Sequence, residues 1–169
     1  MADVYCIDSS SLIDMKTWYF SAAFRFVWDG LAKAVEDHRL IAPREVSKEI
    51  GEGNDELVTW CKAHSSMFIQ TDPEEAQVLI QVLRECPRIV DPAKDHDADP
   101  MLIALALARC GHVSEHFDGQ RAAVVTQENP TGAPCGSGNR VKIPDACRHF
   151  RLQCIKAPQM IVELGISAG

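Results

Sequence analysis

The sequence predicts an α/β protein, a three-layer α/β/α sandwich around a mainly parallel central sheet. Two observations carry this. Short apolar, β-prone runs alternate with longer segments of helical periodicity, the pattern of strand–helix–strand units. The first run, Val4 to Ile7 (VYCI), is apolar throughout, as suits a strand covered on both faces. A length of 169 residues fits one domain with a real core, so residues 1–169 are read as a single unit.

The elements follow in order. After the strand at Val4–Ile7, Asp8 and three serines open a polar turn (IDSSSLID). Residues 22–37 place Phe24, Trp28, Leu31 and Val35 on one stripe, the signature of an amphipathic helix that Gly30 weakens. Leu40–Ala42 is a short strand closed by Pro43, and Pro43 to Ile50 reads as a helix with proline in its first turn, ended by Gly51. Asn54 is expected to cap a helix to His64 that carries Leu57, Val58 and Cys61 on one side. Met67–Gln70 gives another strand. Asp72-Pro73-Glu74-Glu75 is a strong helix start, with the helix running to about Cys86 before Pro87. An acidic loop (DPAKDHDADP) leads into a helix from Asp99 to Arg109. Ala122 to Thr126 is a strand, Glu128 to Arg140 a Gly- and Pro-rich loop, Pro144 to Phe150 a short helix, and Cys154–Ile155 a last strand.

Composition excludes several classes. With 46% apolar and 24% charged residues the chain is ordinary globular material. Its longest apolar runs fall short of the ~20 residues that span a bilayer, so no membrane association is expected. No basic region precedes an apolar stretch at the N-terminus, so a secretory signal is not expected. Seven scattered cysteines without a CxxC pair suggest free thiols in a reducing, cytoplasmic setting. The formal charge of −7 does not advertise a nucleic-acid binder. It does not forbid one either, because a metal inverts the local sign at an acidic site. Small basic clusters at Arg140/Lys142 and Arg148/His149/Arg151 could track a phosphate backbone.

Open parallel sheets bind ligands at the carboxyl ends of their strands. Two acids sit there on this reading, Asp8 and Glu128, while Glu49 and Asp99 lie on helices that could face the same cleft. Converging carboxylates repel one another unless a cation neutralises them, and hard divalent ions are the natural partners. Each acid also has a plainer role open to it. Asp8 and Asp99 are well placed as helix caps, and Glu49 as a solvated helix residue.

The segments IDSSSLID (Asp8), LIAPREVSKEI (Glu49), DADPMLIALALA (Asp99) and VVTQE (Glu128) resemble, in order, the motifs of a PIN domain. The closer resemblance is to the PIN-like toxin family, long described only as a domain of unknown function. Trp28, the LVTW segment with Trp60, and IPDAC followed by HF strengthen it. The resemblance implies a Mg²⁺- or Mn²⁺-dependent ribonuclease, the toxin of a bacterial toxin–antitoxin pair, with RNA as substrate and a cognate antitoxin as partner. PIN toxins often form homodimers. It implies that Asp8, Asp99 and Glu128 hold metal and that Glu49 positions or deprotonates the attacking water. Ser10 and Thr126 would help hold the first aspartate or a metal-bound water. Glu128 stands where the family more often has aspartate, so Asp97 is an alternative fourth ligand and Asp145 a further candidate.

Three rivals fit less well. HVSEH (His112 to His116) matches an inverted zinc-peptidase motif, but its place between Gly111 and the Phe117-Asp118-Gly119 segment does not predict the sustained helix that motif needs. Cys135, Cys147, His149 and Cys154 have no regular zinc-finger spacing. A haloacid-dehalogenase-like phosphatase would need an acid where Ser10 stands. From another class, a non-catalytic PIN-like binding or scaffold protein is the alternative to an enzyme.

Overall fold

The structure, a computed structural model, describes residues 1–51, 55–110 and 121–168. Five strands form one all-parallel sheet: β1 (Val4–Ile7), β2 (Leu40–Pro43), β3 (Phe68–Ile69), β4 (Ala122–Val125) and β5 (Gln153–Ile155). Their spatial order is β3-β2-β1-β4-β5. The expected α/β/α sandwich is therefore present, with β1 at its centre. Every strand of the central trio is buried along its whole length, which is why each reads as a continuous apolar run.

Side chains alternate between two cores, as the two-residue period of a strand requires. Tyr5 and Ile7 of β1, Leu40 and Ala42 of β2, and Ala123 and Val125 of β4 enter one. Val4, Cys6, Ile41 and Val124 enter the other. The first core is covered by α1 (Ser9–Trp18), α2 (Arg25–Glu36), α3 (Arg44–Ile50), α4 (Glu56–Ala63) and α8 (Ala157–Glu163). The second is covered by α5 (Pro73–Glu85), α6 (Asp99–Arg109) and α7 (Ile143–Phe150). Trp28 of α2 meets Trp60 of α4 edge-on with ring centroids 5.2 Å apart, so the two tryptophans singled out in the sequence close the first core together. Gly30 weakens α2 as a helix former, but it makes room for the C-terminal segment. A Cβ there would lie 2.6 Å from Ile166.

Several expectations need correction. Asp55, not Asn54, caps α4, its carboxylate accepting from the Leu57 and Val58 amides; Asn54 lies outside the described residues. Pro43 ends β2 with extended backbone and precedes α3 instead of sitting in its first turn. Asp99 is the first residue of α6, and Ala98 is its cap position. The helix α8 was not anticipated. HVSEH lies outside the described residues.

The expectation of free thiols fails at one pair. Cys86, which ends α5, is bonded to Cys135 in the 128–140 loop, across 49 positions. The cysteines therefore give no argument for a reducing compartment. Cys6, Cys61, Cys110, Cys147 and Cys154 are free. With Cys135 in a disulfide and His149 Nε2 3.1 Å from Glu85 Oε2, the imagined zinc set is not assembled. Among the described residues no helix is long and apolar enough to cross a membrane.

Candidate metal centre

Because β2 leaves β1 on one side and β4 on the other, the chain diverges at the carboxyl end of β1, the point where open parallel sheets form a crevice. Asp8 stands there. It caps α1 through the Ser11 amide, which donates to Oδ1 at 2.7 Å. Its other oxygen accepts from Ser10 Oγ at 2.6 Å and from Thr126 Oγ1, one residue past β4, at 2.6 Å. Ser11 Oγ donates to the Val125 carbonyl and ties the start of α1 to β4. Burial pushes the Asp8 carboxyl above its usual range, while the hydrogen bonds from Ser10, Ser11 and Thr126 pull the other way. Ser10 and Thr126 thus both contact Asp8.

The third serine reaches the next acid. Ser9 Oγ donates to Glu49 Oε2, so α1 and α3 are joined at the rim of the sheet. Glu49 Oε1 accepts from the Ala98 amide at 3.1 Å, just before α6. Glu49, Asp97 and Asp99 each offer an oxygen within 4.8 Å of the others, a group that could hold a metal ion. Asp97 also accepts from the Asp91 and Asp99 amides, which folds the acidic loop onto the site.

Charge balance in this cluster is unequal. Lys94 Nζ lies 2.9 Å from Glu49, 3.6 Å from Asp97 and 3.6 Å from Asp99. Burial disfavours its charge, but the bond to Glu49 and the charges of Asp99, Glu49 and Asp97 outweigh that and raise its pKa. Arg140 pairs with Asp91 and reaches Asp99 Oδ2 at 3.7 Å. That oxygen of Asp99 is buried without a hydrogen-bond donor. Desolvation is the main reason that the Asp99 carboxyl is raised to about 7; Lys94 lowers it, and Asp97, Glu128 and Glu49 raise it further. A buried, donor-poor carboxylate beside two others is the environment that a hard cation relieves.

Glu128 and Asp145 are each tied to the start of α7. Glu128 takes Lys142 at 2.6 Å and the Ile143 amide at 2.9 Å, so it closes the start of α7. Asp145 accepts from Thr131 and Gly132 and pairs with Arg148, pinning the 128–140 loop to α7. Burial would raise the Asp145 carboxyl, but these amides and the Thr131 hydroxyl hold it below its usual range. The structure therefore groups Glu49 and Asp99 with Asp97. Asp8, Glu128 and Asp145 are not members of that group, although Ser9, next to Asp8, bonds Glu49 and the charge of Glu128 raises the Asp99 carboxyl.

The basic residues expected as a phosphate-tracking patch are partly consumed here: Arg140 by Asp91 and Asp99, Lys142 by Glu128, Arg148 by Asp145. The sequence reading missed Lys94 as a member of the site. Its position inside DPAKDHDADP, a lone cation among acids, was the available signal. No curated protein and no solved structure matches the chain. A family model does, over residues 5–168, and the chain belongs to that family, described as a domain of unknown function, DUF4411.

Proposed function

We propose that the protein is a Mg²⁺- or Mn²⁺-dependent ribonuclease, acting as the toxin of a type II toxin–antitoxin pair with a cognate antitoxin as its partner. The observation that carries the reading is the trio Glu49, Asp97 and Asp99, whose oxygens lie within 4.8 Å of one another, with Asp99 Oδ2 lacking a donor. Oxygen-only donors fit a hard divalent cation better than zinc or copper. Glu49, Asp97 and Asp99 would hold it, with Asp8 alongside. Such an ion lowers the pKa of bound water and offsets charge on phosphoryl oxygens.

The chain's own residues supply the rest. Ser9 and the Ala98 amide fix the Glu49 carboxylate, so that it can orient an attacking water. Ser10, Ser11 and Thr126 fix Asp8 at the crevice. Lys94 and Arg140 bring positive charge to where a phosphodiester would lie. The order of motifs shared with PIN domains supports the choice of RNA.

A non-catalytic binding module is the second reading. The observation in its favour is that Lys94 and Arg140 already neutralise the acids that a metal would occupy. RNA incubated with Mn²⁺ separates the two. The wild-type protein is expected to cleave and Asp8→Asn to lose cleavage while staying folded; equal cleavage by both would sink the nuclease assignment.

A further inference from the structure

A second feature shares its elements with the carboxylate trio. A cleft of about 680 Å³ opens beside α3, within the size range of sites that enclose small organic ligands. The helix α3 gives Glu49 to the trio and Arg44, Lys48 and Ile50 to the cleft. The acidic loop likewise gives Asp97 to the trio and His96 to the cleft.

Among the described residues that line it, Arg44, Lys48 and Lys62 are cationic and none is acidic, although Lys48 also lies 3.6 Å from Glu45 Oε1. In a chain with 24 acidic against 17 basic side chains, that is a local reversal of charge. Arg44 and Lys48 are exposed at the mouth of the cleft. Phe68, at the start of β3, and Ile50 add apolar surface to the same walls. Cations that meet phosphates, next to an aromatic ring on which a base can stack, are the recurring design of single-strand binding grooves. In an A-form duplex the bases are paired and stacked, so a recessed aromatic reaches only unpaired ones.

We infer that this cleft binds the single-stranded RNA flanking the scissile bond, with phosphates on Arg44 and Lys48 and a base against Phe68. The inference rests on the nuclease reading of the neighbouring carboxylates and deepens it. The cleft would give the strand its hold and direction, and the acidic trio would supply the chemistry. An acidic peptide is the competing occupant by charge alone. It has no planar group to use the apolar wall.

The test reads binding without turnover. A 5′-fluorescein single-stranded RNA of about 12 nucleotides, a length that suits one groove, is titrated in EDTA and followed by anisotropy at several salt concentrations. Arg44→Glu/Lys48→Glu is compared with Arg25→Glu/Lys33→Glu, an equal charge change on α2 away from the cleft. The cleft pair is expected to weaken binding at least tenfold and to lower the salt slope by about 1.4, since each lost phosphate contact removes about 0.7 on a single strand. The α2 pair is expected to match the wild type. All four residues are exposed, and thermal melts establish that each variant is folded. Binding by the cleft pair equal to the wild type or to the α2 pair would overturn the inference. So would an absence of RNA binding by the wild type, or a labelled oligoglutamate that binds the cleft in preference to RNA. Because EDTA removes metal and turnover, the nuclease reading fails separately, when wild-type protein with Mn²⁺ leaves RNA intact.

Discussion

Replacing Asp99 by asparagine tests the electrostatic account of the acidic trio. Asp99 is 5% exposed, and its carboxyl is raised from 3.8 to about 7, chiefly by burial. The difference of about 3 units corresponds to about 4 kcal/mol as an upper bound on the cost of charging it in the fold. The sign follows from proton counting. Between 3.8 and about 7 the native chain holds a proton that the unfolded chain has lost, so stability falls as pH rises through that window. Asparagine keeps the shape and cannot ionise. In EDTA, Asp99→Asn should therefore be more stable than the wild type, by about 1–2 kcal/mol near pH 5 and about 2–4 kcal/mol near pH 8. Urea unfolding at both pH values measures this. Excess Mn²⁺ should then reverse the order, because an ion that binds only the native wild type adds RT ln(1 + [L]/Kd). A variant less stable than the wild type in EDTA at the higher pH, or a gap that does not widen with pH, would refute the reasoning.

Other predictions concern the frame of the site. Replacing Cys86 and Cys135 by serine should cost about 2–4 kcal/mol of unfolding free energy, the effect of removing a cross-link over 49 positions; a loss below 1 kcal/mol by urea unfolding would contradict it. Asp72→Ala removes the acceptor for the Glu75 amide at the start of α5 and should cost about 1 kcal/mol by the same assay, whereas Asp72→Asn should cost less. Trp28→Ala opens the first core opposite Trp60 and should lower stability by about 3–5 kcal/mol, read as a large drop in melting temperature. A drop of only a degree or two would show that the tryptophan pair does not hold the α2–α4 face.

Much of the frame was legible because local chemistry and global fold agree. Asp72-Pro73 announced α5, and the unbroken apolar runs at Val4 and Ala122 announced strands that are covered on both faces. Glu49, Asp97 and Asp99 were all visible as candidates, with Glu49 and Asp99 expected to face one cleft; how Asp97 joins them was not legible. It depends on the acidic loop folding back so that Asp97 accepts from the Asp91 amide, a contact that no periodicity encodes. Lys94 was hidden for the same reason. Glu128, expected as a ligand because it follows a strand, also accepts from the Ile143 amide at the start of α7, a contact that no local pattern encodes. The Cys86–Cys135 bond joins a helix end to an irregular loop, so no spacing rule pointed to it. Tyr5 is similar. Its hydroxyl donates to Glu163 of α8, and burial together with that carboxylate pushes it up to about 12, in a contact spanning nearly the whole chain.

The central claim, that the trio serves metal-dependent RNA hydrolysis, is tested most directly by one time course. RNA is incubated with wild-type protein plus Mn²⁺, with wild-type protein plus EDTA, and with Asp99→Asn plus Mn²⁺. The account predicts cleavage in the first alone, with the variant slowed at least about a hundredfold, as befits loss of a group that holds the cation. Cleavage that persists in EDTA, or a variant that cleaves at the wild-type rate, would contradict it.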